Sequence, residues 1–144
     1  MIPEFGERLP GIDYIDRPGA YAFIRDGAGL LALVRLAPDR HYLPGGGMEP
    51  GETPDQSMIR EIAEELAHAA IVGRMFARAT QYIASTRGGH FAVHAHYFEV
   101  ALGAPLDREP EHELLWLPPE KAQTMLVRDA DRWALTLFLG AGPA

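Results

Sequence analysis

The chain has 144 residues, 47% of them apolar and 23% charged, which suits one globular domain spanning 1–144 with a real core. Twenty acidic against 13 basic residues give a formal net charge of −7, which argues against a protein that tracks a nucleic-acid backbone. No cysteine is present, so disulfides, thiolate nucleophiles and thiolate metal sites are excluded.

Residues 1–19 carry three prolines and three glycines and read as an irregular arm, with a short strand near Tyr14-Ile15. Ala20 to Arg25 reads as a strand and Asp26-Gly27 as a turn. Leu30 to Leu36 is nearly continuous apolar, which suits a strand buried on both faces. Arg25, Arg35 and Arg40 are strand-end or loop charges, with reach to a phosphate as the alternative. Pro38 to Tyr42 leads into a glycine loop, Pro44-Gly45-Gly46-Gly47-Met48-Glu49-Pro50-Gly51-Glu52, where glycine permits positive φ and close approach to a ligand.

Thr53, Pro54 and Gln56 then predict a helix start. The Thr53 hydroxyl can cap the Gln56 N–H, the Gln56 side chain can reach back, and proline suits the first helical position. Ile59, Ile62 and Leu66 recur at helical spacing as an inward stripe, which leaves Glu61, Glu64 and Glu65 on the opposite side, facing solvent or a metal. Carboxylates that close repel one another, and a hard cation would reverse that repulsion. Ala67, Ala69 and Ala70 are good helix formers, so the helix is expected to run past a right-handed Ala67 and to place His68 near its carboxyl end.

Ile71 to Ala84 reads as one long or broken strand, Ser85 to Gly89 as a hairpin loop and His90 to Leu102 as the returning strand. His94 and His96 share a face there, and are read as structural, or as near a base, rather than as zinc ligands. Gly103 to Glu113 is a long polar loop, Leu114 to Leu117 a short strand, and Pro118-Pro119 opens a helix through about Leu126. In a last helix, about Asp129 to Leu139, Ala130, Trp133, Ala134, Leu137 and Phe138 form a stripe that is core or a homodimer contact. A Gly/Pro-bearing tail is expected at 140–144. Strands alternating with helices, the helices clustering late, give an α/β or α+β sandwich. No apolar run approaches the about 20 residues of a membrane span and no signal peptide is evident, so no membrane partner and a cytoplasmic location are expected.

Gly46, Glu52, Arg60, Glu61, Ile62, Glu64 and Glu65 stand in the register of the Nudix signature: glycine, five residues, glutamate, seven residues, then Arg-Glu-(aliphatic)-x-Glu-Glu-x-Gly-(aliphatic). The stretch resembles the Nudix hydrolases, departing from the pattern at Ala67 and His68. The resemblance implies an α/β/α sandwich with a mixed sheet and helices on both faces. It also implies Mg²⁺-dependent hydrolysis, Mn²⁺ being a substitute, of a pyrophosphate bond in a small nucleoside-diphosphate derivative. Glu61, Glu64, Glu65 and a carbonyl of Gly45 or Gly46 would hold metal, and Gly46 and Gly47 would approach substrate. Arg60 would position Glu61 or Glu52. The base would be Glu61, or a carboxylate from Glu109, Glu111 and Glu113, with Glu111 favoured as the loop's contribution.

Two other readings remain: a non-catalytic nucleotide-binding module of the same fold, and an acidic helix with a structural or partner role. The second leaves the glycine loop without a purpose. Tyr42, Tyr82, Phe91 and His94 are candidates to contact a base, and each is equally placed to be core.

Overall fold

Two long strands, β6 (His68–Ala84) and β7 (His90–Pro105), form an antiparallel hairpin that sets the frame of the computed structural model, which describes residues 1–141. β1 (Glu4–Phe5) joins β6 in parallel; β2 (Ile15–Phe23) joins β7 in parallel and carries β5 (Gly45–Gly47) antiparallel on its far side. The mixed sheet therefore runs β1-β6-β7-β2-β5. A second, antiparallel sheet places β3 (Leu31–Ala37) between β4 (Arg40–Tyr42) and β8 (Glu113–Leu117). Three helices complete the chain: α1 (Pro54–Leu66), α2 (Pro119–Met125) and α3 (Asp129–Ala141).

Alternation along the strands explains why helices lie on both sides. Tyr21, Phe23, Leu31 and Leu33 point into one core with Tyr97, Leu126 and Leu135, beneath α2 and α3. The intervening Ala20, Ala22, Ala32 and Val34 point into another, with Phe98 and the α1 residues Met58, Ile62 and Leu66. Of the stretch expected to be buried on both faces, Leu31 to Val34 are so, all within 1% of full burial, whereas Leu36 is 55% exposed. The mixed sheet and the helical layers agree with the α/β sandwich expected from the sequence.

Several elements differ from expectation. β2 starts at Ile15, and the three glycines of the loop form a strand of their own. β7 runs on to Pro105, so the polar loop shortens to 106–112. On α1 the inward residues are Met58, Ile62 and Leu66, whereas Ile59 is 51% exposed. On α3, Ala130, Ala134 and Leu135 are buried and Phe138 stacks on Phe23, so the stripe is core there, with Leu137 left exposed. Gly140 and Ala141 belong to α3; the remainder of the expected tail, 142–144, lies outside the described residues.

The end of α1 is a correction. The helix stops at Leu66, and Ala67 takes φ 56°, ψ 43°, the sole non-glycine among the described residues in the left-handed region. Helix propensity loses because the chain beyond is already committed. His68 begins β6 opposite Pro105, its Nδ1 lies 3.0 Å from the Gly103 carbonyl, and the Leu106 N–H donates to the Ala67 carbonyl at 2.7 Å. Left-handed alanine costs about 1–2 kcal/mol. A few hydrogen bonds at about 1 kcal/mol each offset that.

Candidate active site

β5 brings the glycine backbone onto α1. Gly45 pairs with Tyr21, Gly46 with Ala20 and Gly47 with Gly19. Gly45 has φ 135°, and a Cβ there would lie 2.1 Å from the Ala20 carbonyl oxygen, so no larger residue fits. A Cβ on Gly46 would lie 2.9 Å from Glu61 Oε1, so the loop backbone sits directly against that carboxylate. From the other side, the Thr53 cap fixes where α1 begins. Its hydroxyl accepts from the Gln56 N–H at 3.2 Å while the Gln56 side chain accepts from the Thr53 N–H at 3.0 Å.

Arg60 ties these pieces together. Its Nε and Nη2 donate to Glu52 at 2.7 and 2.9 Å, Nη1 to Glu61 and Glu64 at 3.0 and 3.3 Å, and Nη2 also to the Gly47 carbonyl at 3.0 Å. Sequence reasoning leaves Glu61 and Glu52 as alternatives for Arg60; it holds both. The Arg60 fork keeps the Glu52 carboxyl down at about 2. Glu61 moves the other way, raised by burial and only partly brought back by Arg60.

Glu65 corrects the picture of three outward carboxylates. It is 4% exposed, accepts from the Gly45 N–H at 2.6 Å, and lies 3.2 Å from His112 Nε2. Burial raises its pKa to about 8; the Gly45 hydrogen bond opposes this, and the charges of Glu61, Glu111 and Glu64 add to it. Among the described residues, no three His, Asp or Glu side chains converge on one point; Arg60 engages Glu61 and Glu64, and the Gly45 N–H engages Glu65. The donor set still fits a divalent cation. It is all hard oxygen, with a backbone approach only glycine permits and a buried carboxylate that neighbouring charges resist ionising.

The loop after β7 docks on the same helix end. The Glu111 and His112 N–H groups donate to the Glu64 and Glu65 carbonyls at 3.1 and 3.3 Å. Of the three loop candidates, Glu113 is taken by Arg35 in a bidentate pair, both bonds 2.9 Å. Glu111 is the one whose charge reaches Glu65.

A cleft opens beside these groups in two chambers. The inner one, about 360 Å³, is lined by Tyr21, Gly45, Gly46, Gly47, Glu61, Glu65 and His112. The outer one, about 560 Å³, is lined by Arg40, Phe91, Ser85 and Asp129 among others; Arg17, Tyr42, Ile83 and Arg128 border both. Of the aromatic candidates, Tyr42 and Phe91 line the cleft. Tyr82 instead donates to Glu4, and His94 sits between Thr80 and Asp16 on the opposite face of the sheet; His96 there is half-buried against the Gly19 carbonyl. Of the arginines, Arg35 is paired with Glu113, Arg25 lies over the Phe138 ring, and Arg40 alone borders the cleft. His112, Arg128, Arg17 and Tyr21 escape sequence reasoning, since each arrives through long-range pairing that leaves no local signal.

Residues 16–137 match the family model described as the NUDIX domain. The chain belongs to the Nudix family. The CTP pyrophosphohydrolase of Escherichia coli K12 is 32% identical to this Nudix chain over 122 residues, covering 80% of this chain and 84% of that protein. Mouse diphosphoinositol polyphosphate phosphohydrolase 3-alpha is 43% identical over 51 residues. That alignment covers 35% of this chain, and this chain spans only about a third (31%) of that relative's length. Among solved structures, the E. coli ORF135 protein superposes with TM-score 0.69 at 28% identity, covering 96% of this chain and 99% of that one. The E. coli dihydroneopterin triphosphate pyrophosphohydrolase shares the fold at TM-score 0.62 and 20% identity, over 86% and 97%. No helix among the described residues is long and apolar enough to cross a membrane.

Proposed function

We propose that this Nudix protein hydrolyses a pyrophosphate bond of a nucleoside-diphosphate-type small molecule with a bound divalent cation, Mg²⁺ or Mn²⁺ in its place. The observation that carries the reading is Glu65: a buried carboxylate held 2.6 Å from the Gly45 N–H, on the same helix face as Glu61 and against the glycine backbone that lines the cleft. A fold that needed only a helix there would place an apolar residue. Glu61, Glu64, Glu65 and the Gly45 or Gly46 carbonyl are the proposed ligands. A cation there would offset the diphosphate charge and lower the pKa of a bound water.

The chain's own residues do the rest. Gly46 and Gly47 leave room for the diphosphate to lie along the β5 backbone, where side chains would block it. Arg60 does not reach the cleft lining; it fixes Glu61 and Glu64 from behind, as a positioning residue. Glu61 is the proposed base: of the helix glutamates that line the inner chamber, it is the one Arg60 holds in place. Water oxygen bonds to phosphorus, the anhydride P–O bond breaks, and the water proton passes to Glu61. Glu111, docked at the helix end, is the loop carboxylate best placed to assist.

A phosphate- and nucleotide-release assay over a nucleoside-diphosphate panel, with CTP included because of the E. coli relative, tests this. Hydrolysis that requires Mg²⁺ or Mn²⁺ and falls roughly a hundredfold in Glu64→Gln is the expected result. Glu64 has a side chain 33% exposed, so that variant keeps its fold. Nucleotide binding without turnover under every metal would replace the enzyme by a binding module.

A further inference from the structure

In a chain of net charge −7 with 13 basic residues, the places where arginines gather carry information. Arg17, Arg40 and Arg128 line the outer chamber together. Among the described residues, none of the three is within ion-pair distance of a carboxylate, whereas Arg35, Arg60, Arg74 and Arg132 all are. Of the chamber's two carboxylates, Asp129 is engaged by Arg132, which leaves Asp39 facing three guanidinium groups. None of the helix glutamates lines this chamber, so the chemistry proposed at α1 does not use these arginines.

Two of the three are held by rings. The Arg17 guanidinium lies 3.8 Å from the Phe91 ring centroid. Arg128 lies 5.2 Å from that of Tyr42, and donates to the Tyr21 hydroxyl at 3.3 Å. A guanidinium held over a ring without a carboxylate partner has N–H groups left for an oxyanion, and such charge-assisted bonds are stronger than neutral ones. Arg17 also covers Phe91, so that ring is not a bare platform for a base. With an uncharged group here, Asp39 would be the one chamber carboxylate left to three guanidinium groups. An anion would satisfy them.

We propose that the outer chamber binds a second anionic group of the substrate, a phosphate monoester or similar oxyanion at the end away from the hydrolysed anhydride. This orientation rests on the hydrolase reading above; the anion site itself rests on the arginines.

Two substrate pairs provide the test: NADPH with NADH, and coenzyme A with dephospho-coenzyme A. Members of each pair share the diphosphate and differ by one phosphate monoester. In the presence of Mg²⁺ the phosphorylated member should have a kcat/KM roughly tenfold higher in at least one pair, from one charge-assisted contact. That ratio should shrink as salt rises, since exposed charges are screened within about 10 Å at 0.1 M. It should fall to within about twofold in Arg40→Gln, whose exposed site leaves folding intact, and likewise in Arg128→Gln. Equal kcat/KM in both pairs, or a preference that survives both substitutions, overturns the subsite and leaves hydrolysis standing. If neither pair is cleaved, the Kd values of the same compounds by calorimetry decide. Tighter binding of a phosphorylated member, erased by Arg40→Gln, supports the subsite though the hydrolase reading has failed. Equal or undetectable binding overturns it.

Discussion

Adding one methyl in turn to Gly45, Gly46 and Gly47 separates what this backbone does for the fold from what it does for the site. Gly45→Ala would place its Cβ 2.1 Å from the Ala20 oxygen and 2.8 Å from the Tyr21 Cα, both backbone atoms of β2. That strand is paired with β7 along its other edge, so it has nowhere to retreat. The positive φ adds about 1–3 kcal/mol of strain, and overpacking a further 1–3 kcal/mol or so. A loss of about 2–6 kcal/mol lowers the Tm by roughly 6–18 °C for a chain of this size. At Gly46 the obstacle is the far end of the Glu61 side chain, which can swing aside. Gly46→Ala should therefore unfold within about 1 kcal/mol of the parent, but lose activity as Glu61 is displaced. Nothing lies within 4 Å of a Cβ at Gly47, and its stability should change by less than about 0.5 kcal/mol. Urea unfolding followed by the fluorescence of Trp116 and Trp133, beside the phosphate-release assay, reads all three. A Gly45→Ala variant as stable as the parent, or a Gly47→Ala variant as damaged as Gly45→Ala, would refute the reasoning.

Ala67→Gly should raise stability slightly: relief of about 1–2 kcal/mol of left-handed strain outweighs about 0.4–1 kcal/mol of extra unfolded-chain entropy. Ala67→Val, branched at the same φ, should lower it, and thermal unfolding of the two variants checks the order. Arg60→Ala should cost both activity and about 1–3 kcal/mol of stability, because half-buried carboxylates lose their partner; an unchanged Tm would remove its positioning role. Glu52 gives a pH signature. Its folded pKa is depressed to about 2 against an ordinary 4.5, so its contribution is complete above 4.5 and disappears as pH falls towards 2. The Tm difference between the parent and Glu52→Gln should accordingly be largest near neutrality and vanish in acid; a constant difference would count against the Arg60–Glu52 pairing.

The two ends of α1 show what could be read from the chain and what could not. At Thr53 the signal is local, a cap and its reciprocal partner three residues on, and both bonds form as the sequence implies. At Ala67 the local signal favours more helix by at most about 1 kcal/mol per residue, and is overruled by hydrogen bonds from residues some 40 positions later. The inward face differs from the helical spacing for a similar reason: Glu65 looks like a surface charge, until β5 places the Gly45 N–H against it. β5 itself gives no pattern to read, since three glycines have no side chains to alternate. The carboxylates and Arg60 are legible as a motif because they share one helix. His112, Arg17 and Arg128 are not, because each reaches the cleft from a different part of the chain, whereas Arg40 is already a candidate to reach a phosphate.

The carbonyls at the end of α1 have a dynamic consequence. Glu64, Glu65 and Ala67 accept from Glu111, His112 and Leu106, so the returning loop serves as the cap that the helix's own sequence lacks. Loop and last turn are then one cooperative unit: neither can open without breaking the other's bonds. In native-state hydrogen exchange the amides of Leu106, Glu111 and His112 should share one opening free energy, although they sit in a surface loop whose other amides exchange quickly. Excursions of that loop, which would carry Glu111 away, would also loosen the turn that presents Glu64 and Glu65.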